Sequence, residues 1–167
     1  MKTIAKYSTV CLFAALVAFP AAAQTTTPGC RDVAGSALWS LIPAPNDPFG
    51  RIMGPAIGDL NASITAIITK LTPSPSGVLA ADSEEIWVLS PTDIIVFKGK
   101  ATFTPSFMQT PTTFADELTL TAVAGFGRYA KVTGTINVKG TGYAITEGPG
   151  KGYFDIRYKG TLCGIQQ

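Results

Sequence analysis

From about residue 49 to the end of the chain, apolar and polar side chains alternate with a period of two. In 61–71, Ala62, Ile64, Ala66 and Ile68 fall on one face and Ser63, Thr65 and Thr69 on the other. In 93–104, Ile95, Phe97, Ala101 and Phe103 oppose Lys98, Lys100, Thr102 and Thr104. In 114–123, Leu118, Leu120 and Ala122 alternate with Glu117, Thr119 and Thr121. Ile136 and Val138 do the same within 132–139, as do Phe154, Ile156, Tyr158 and Leu162 within 153–163. A further strand is predicted over 78–89, and shorter ones over 51–57 and 142–146. Gly and Pro punctuate the pattern at 73–77, 90–92 and 105–113, as turns do between strands.

The pattern predicts an all-β domain of seven or eight antiparallel strands with one apolar face each. Such a set closes into a single barrel of about eight strands or packs as a two-sheet sandwich. Thr recurs on the polar faces, where it suits a strand and disfavours a helix. Residues 24–48 are rich in Pro, Thr and Ala. They are expected to form an extended arm outside the barrel, with at most one helical turn over 37–41. The predicted organisation is therefore 1–23 leader, 24–48 arm and 49–167 barrel.

The leader has three parts. Lys2 and Lys6 precede an apolar run over 10–19, and Ala21-Ala22-Ala23 supplies small residues before Gln24. This is the pattern of a secretory signal peptide cut near Ala23-Gln24. Its apolar run is shorter than the roughly 20 residues of a membrane-spanning helix. The mature chain is expected to be secreted or periplasmic, and not an integral membrane protein.

Removal of the leader changes the charge and the cysteine count. The full chain carries 13 basic and 11 acidic residues; loss of Lys2 and Lys6 leaves the two signs equal. A neutral domain lacks the basic stripe that nucleic acid requires. Of three cysteines, Cys11 leaves with the leader. Cys30 and Cys163 remain, near the two ends of the mature chain. In an oxidising compartment they are expected to pair and to tie the arm to the last strand.

Residues 124–134, Ala-Gly-Phe-Gly-Arg-Tyr-Ala-Lys-Val-Thr-Gly, resemble a glycine-rich turn of the allene oxide cyclase and dirigent β-barrels. That turn reads Gly-Gly-Thr-Gly-x-Phe/Tyr-x-x-Ala-x-Gly. Gly125, Gly127, Tyr129 and Gly134 match it, whereas Ala124, Phe126 and Val132 depart from it. Similar turns occur in uncharacterised exported bacterial β proteins, whose closing strand residues 152–163 also resemble. The resemblance implies a barrel over roughly 49–163, with Tyr129 plugging one end. It does not imply an activity, because relatives of this class include cyclases, stereochemical guides and proteins with no known reaction.

The chain contains no His. Ser-His-Asp and Cys-His catalysis and His-ligated metals are therefore excluded. No P-loop or strand-to-helix dinucleotide motif occurs. The glycines at 125–127 and 148–152 read as hairpin turns, and no metal or cofactor is expected.

The remaining candidates for chemistry are carboxylates and aromatics. Glu85 is in phase with Trp87, Glu84 with Ile86, and Asp116 with Leu118. If Glu84, Glu85 or Asp116 faced inward, burial would raise its pKa and suit proton transfer, with Tyr129 as a partner. The simpler alternative places all of them in solvent at strand ends. Trp87, Tyr129, Tyr143 and Tyr158 either line a pocket for a small apolar ligand or fill the core. Three functions follow: a non-catalytic exported barrel that binds a small apolar ligand or serves as a surface or matrix component; a cyclase- or dirigent-like enzyme; and a purely structural interaction module.

Overall fold

A computed structural model describes residues 29–106, 113–144 and 152–166. The leader, the glycines at 148 and 150 and the end of the strand expected over 142–146 lie outside the described residues. The chain forms β1 (Cys30–Ala44), β2 (Asp47–Gly58), β3 (Ala62–Pro73), β4 (Leu79–Val88), β5 (Ile94–Ser106), β6 (Thr113–Phe126), β7 (Thr133–Ala144) and β8 (Gly152–Cys163), with a 3-10 turn at Gly127–Tyr129. Each strand pairs antiparallel with the next, and β8 returns to β1, so the sheet is a closed eight-stranded barrel. The sandwich alternative does not form.

Two expected boundaries change. The segment read as an arm over 24–48 is, in its described part, the first barrel strand. β1 pairs with β2 on one side and with β8 on the other, and 37–41 is strand rather than a helical turn. The strands expected over 132–139 and 142–146 belong to the single strand β7. The total stays at eight because one addition offsets one merger.

Alternation sorts the side chains as expected. Ile64, Ile95, Phe97, Leu120, Ile136 and Ile156 are buried in one continuous core, while Lys98, Glu117 and Lys139 on the same strands face out. A barrel that spans lipid has the opposite sorting, with an apolar outer band. Among the described residues no helix is long and apolar enough to cross a membrane.

The two ends differ. The lower end carries the β2–β3, β4–β5 and β6–β7 connections and both described chain ends. There Leu60 and Leu162 are fully buried, with Tyr129 and Val132 packed beside them. The Tyr158 hydroxyl accepts from the Leu60 amide at 3.1 Å and donates to the Leu60 carbonyl at 3.1 Å. Gly35 permits this: a Cβ there would collide with the Tyr158 ring. Gly127, at φ +61°, opens the 3-10 turn beside Asp93. The Asp93 carboxylate accepts from the Arg128 amide at 3.0 Å and from Arg128 Nε at 2.9 Å. These bonds, led by the backbone one, hold its pKa below the ordinary value. Tyr129 therefore plugs this end, as the glycine-rich turn implied. At the upper end the inward residues Leu41, Ile68, Leu71 and Phe103 are only partly buried.

Cys30 and Cys163 face each other across the β1–β8 ladder and are disulfide-bonded over a separation of 133 residues. The bond lies at the seam that closes the sheet. Replacing both cysteines by Ser is expected to lower stability by about 2–5 kcal/mol, read as a lower urea midpoint. Peptide mapping without reductant should recover the two cysteine peptides as one species. Tyr158→Phe should cost about 1–3 kcal/mol, because it strands the buried Leu60 amide and carbonyl. A denaturation curve matching that of the unsubstituted protein would show that water replaces the hydroxyl.

Candidate functional site

The inward positions of β4 read Ala81, Ser83, Glu85 and Trp87 from the upper end downward, and all are buried. The period of two that faces Trp87 inward therefore also takes Glu85 into the lumen, at 1% exposure. Asp116 enters from β6 by the same logic, in phase with Leu118 and Leu120, at 3% exposure. The two acids are thus interior groups of one apolar barrel, and the solvated alternative fails for both. It holds for Glu84, which is exposed on the outer wall with Lys98 4.0 Å away. Asp82 is exposed as well.

Glu85 Oε2 accepts a hydrogen bond from Trp87 Nε1 at 3.0 Å. Ser83 Oγ lies near enough to favour the charged form of Glu85 slightly, yet no well-aligned bond fixes it. Burial outweighs both and raises the Glu85 pKa to about 7, with the Asp116 charge adding to the rise. Asp116 is also raised to about 7, by burial. Like charges in a low-dielectric lumen disfavour each other's ionisation, and here that repulsion falls on Glu85. The pair therefore gains and loses protons near neutrality.

Three polar atoms at these inward positions have no hydrogen-bond partner: Asp116 Oδ1, Ser83 Oγ and Trp39 Nε1. Such atoms are rare in a folded interior and costly to leave unpaired. Across the ladders Glu85 lies opposite Ala66 and Phe97, and Asp116 opposite Phe103 and Gly140, so small and large side chains both adjoin the acids. Gly99 faces Ser83 across the β4–β5 ladder, and a Cβ there would strike Ser83 Oγ, Leu118 and Leu120. This glycine therefore makes room for the hydroxyl.

The expected aromatic lining is only partly present. Trp87 is fully buried and meets Phe97 and Tyr158 edge-on, each at 5.4 Å between centroids. Tyr158 and Tyr129 lie in the core at the closed end, where they act mainly as filler. Tyr143 does not face the lumen. It is out of phase with the inward Ile136 and Val138 and stacks on Tyr153, 4.6 Å between centroids, on the outer wall. Its sequence phase already carried that signal. Trp39 and Ser83 went unread, although Ser83 shares the phase of Glu85 and Trp87. Trp39 lies in β1, whose Pro- and Ala-rich surroundings give the sequence the look of an arm.

Among the described residues, no three or more His, Cys, Asp or Glu side chains gather as a metal site. Asp82 and Glu84 lie on the outer wall. The described concavities are open grooves on the outer wall and rim, such as one of about 840 Å³ beside Ile57, Arg157 and Lys159.

Both interior carboxyls have folded pKa values above their ordinary ones, so between about pH 4 and pH 7 the folded protein holds more protons than the unfolded chain. Their contribution to stability is complete below the unfolded pKa and is lost as pH rises through about 7. The urea midpoint should fall between pH 5 and pH 8.5 by an amount on the order of 1–3 kcal/mol. Glu85→Gln or Asp116→Asn should flatten that fall. An equal slope in wild type and both variants would mean that the acids are solvated.

No protein-family model, curated protein or solved structure matches the chain.

Proposed function

We propose that this barrel is a non-catalytic, exported binding protein that takes one small, mainly apolar molecule into the upper half of its lumen. The observation that carries this reading is Asp116, a buried acid with an unpartnered oxygen. It shares the interior with Glu85, below an end whose inward apolar residues are only partly buried. Eight-stranded barrels are just wide enough to hold one small ligand. Ligand sites are typically apolar with a few polar groups that fix orientation, and this lumen has that composition. Leu38, Met53, Ile57 and Phe126, exposed on the outer wall or at its lower rim, suit a protein that also contacts a surface or matrix.

The enzyme reading draws support from the interior carboxyls, since a pKa near 7 suits general acid–base work. It is the weaker of the two. A cyclase- or dirigent-like mechanism would pair an inward carboxyl with a free tyrosine, and the two inward tyrosines are at the closed end. The Tyr158 hydroxyl is committed to Leu60.

Native mass spectrometry of protein purified from its own compartment tests the proposal. A non-covalent adduct of small mass is expected in the wild type. It should be absent from Ala101→Trp, which fills the upper lumen, while the variant keeps a cooperative unfolding transition. Bare protein in both samples, with no change in Trp fluorescence on adding an apolar probe, would overturn it.

A further inference from the structure

We infer that the lumenal ligand is a small organic cation, an amine on an apolar body, held by the Glu85–Asp116 pair. This rests on the lumen being the binding site, and it names the chemistry of what binds there.

The first observation is an imbalance of charge. The inward positions of β4 and β6 contribute Glu85 and Asp116. Those of β2, β3, β5 and β7 contribute no ionisable group, β1 contributes only Arg31 at the exposed lower rim, where it donates to the Asp59 carbonyl at 2.9 Å, and β8 and the 3-10 turn contribute only Tyr158 and Tyr129. Among the described residues every Lys and Arg is exposed except Arg51. Arg51 lies on the outer wall, where its guanidinium binds Asp47 at 2.7 Å. Among the described residues the interior thus holds two acids and no base. Buried charges in proteins are paired or neutralised. Here only a proton or a ligand can neutralise the pair.

The second observation is independent of charge. Of the three unpartnered atoms, Asp116 Oδ1 is an acceptor, Ser83 Oγ can accept or donate, and Trp39 Nε1 is a donor. An ammonium carries three donors and no acceptor, which matches the carboxylate oxygens of Asp116 and Glu85. The third is the aromatic wall. Trp39, Trp87 and Phe97 are fully buried at inward positions. Ring faces attract cations, most strongly when desolvated. An anion would meet two like charges, and a neutral alcohol would satisfy a hydrogen bond but leave the ionised acids unpaired.

Binding has a defined proton balance. The amine enters protonated, the carboxyl facing it gives its proton to solvent, and an ammonium–carboxylate pair forms with no bond made or broken to carbon. Affinity therefore rises as pH rises through neutrality, and falls when both acids hold their protons.

Both tryptophans of the chain, Trp39 and Trp87, are lumenal, so their fluorescence reports occupancy directly. We would titrate the full mature protein with phenethylamine, 2-phenylethanol and 3-phenylpropionate at pH 6 and pH 8. The expected order is amine over alcohol by about tenfold or more, with no response to the carboxylate. Amine affinity should increase from pH 6 to pH 8. Calorimetry in two buffers of different ionisation enthalpy should show proton release. Asp116→Asn, or Glu85→Gln if the first does not fold, should reduce the amine's advantage over the alcohol while keeping alcohol binding. Equal binding of amine and alcohol at both pH values would overturn the cation and leave the lumenal site standing. Preference for the carboxylate would also overturn it. No response to any of the three, in wild type, would count against the lumen itself.

Discussion

The seam between β1 and β8 is the constraint on which the rest depends. From Cys30 opposite Cys163 to Leu41 opposite Gly152, the first and last strands pair along nearly their whole lengths. Without that ladder the sheet would have two long free edges, each a template for unwanted pairing. With it, the upper and lower ends become different places and the space between them becomes a lumen. The seam joins residues more than a hundred positions apart, so it carries the largest loop-closure cost in the fold. A covalent bond at its lower terminus offsets that cost where the chain ends would otherwise fray.

Closure with eight strands leaves little interior volume, and this barrel divides it by height. Its lower half is filled in a fixed way. Leu60, Trp87, Ile95 and Leu162 are fully buried there, and the Tyr158 hydroxyl and the Asp93–Arg128 pair tie loops across the opening. Higher up, Ala66, Ala81, Ser83, Gly99 and Ala101 share the inward positions with larger side chains such as Trp39, Leu118 and Phe154, and the acids appear. The strands are the same above and below, so the change of character comes only from side-chain size and polarity at inward positions.

Much of this was legible because a strand reports its orientation every second residue. The apolar phases of β3, β5, β6 and β8 were all read as the structure has them. β1 was missed for physical reasons. Its inward row includes Gly35 and Ala37, small because neighbours fill the space over them, while Leu38 and Ile42 are apolar yet face out. Periodicity is blurred when the inside is small and the outside greasy. β7 was broken in two for a related reason. Gly140 and Gly142 occupy inward positions without a side chain, and the Phe154 ring from β8 covers Gly142. The missing apolar residue is supplied by the next strand, which no local window can see. At the site, phase separated Glu85 from Glu84 only once Trp87 was known to point inward. The closure of the sheet, which sets β4 and β6 into one lumen, is not written in either strand.

Among the described residues three acids are buried, and their treatment differs. Asp93 accepts from the Arg128 amide and guanidinium, and its own amide is held by the Ser90 hydroxyl. Its carboxylate is stabilised as an anion. That is how a structural acid is built: each lone pair is met, and a base stands beside it. Glu85 has Trp87 and a loosely placed Ser83. Asp116 has an oxygen that nothing meets and a carboxyl driven toward its neutral form. Replacing a poorly paired interior charge with an apolar residue of similar size is commonly neutral or stabilising, so folding alone gives little reason to keep these two. The chain completes the hydrogen bonding of Asp93 at the closed end and leaves that of Asp116 incomplete in the lumen. Among the described residues no basic side chain enters the lumen to supply the donor that Asp116 lacks, which is the observation the proposed ligand answers.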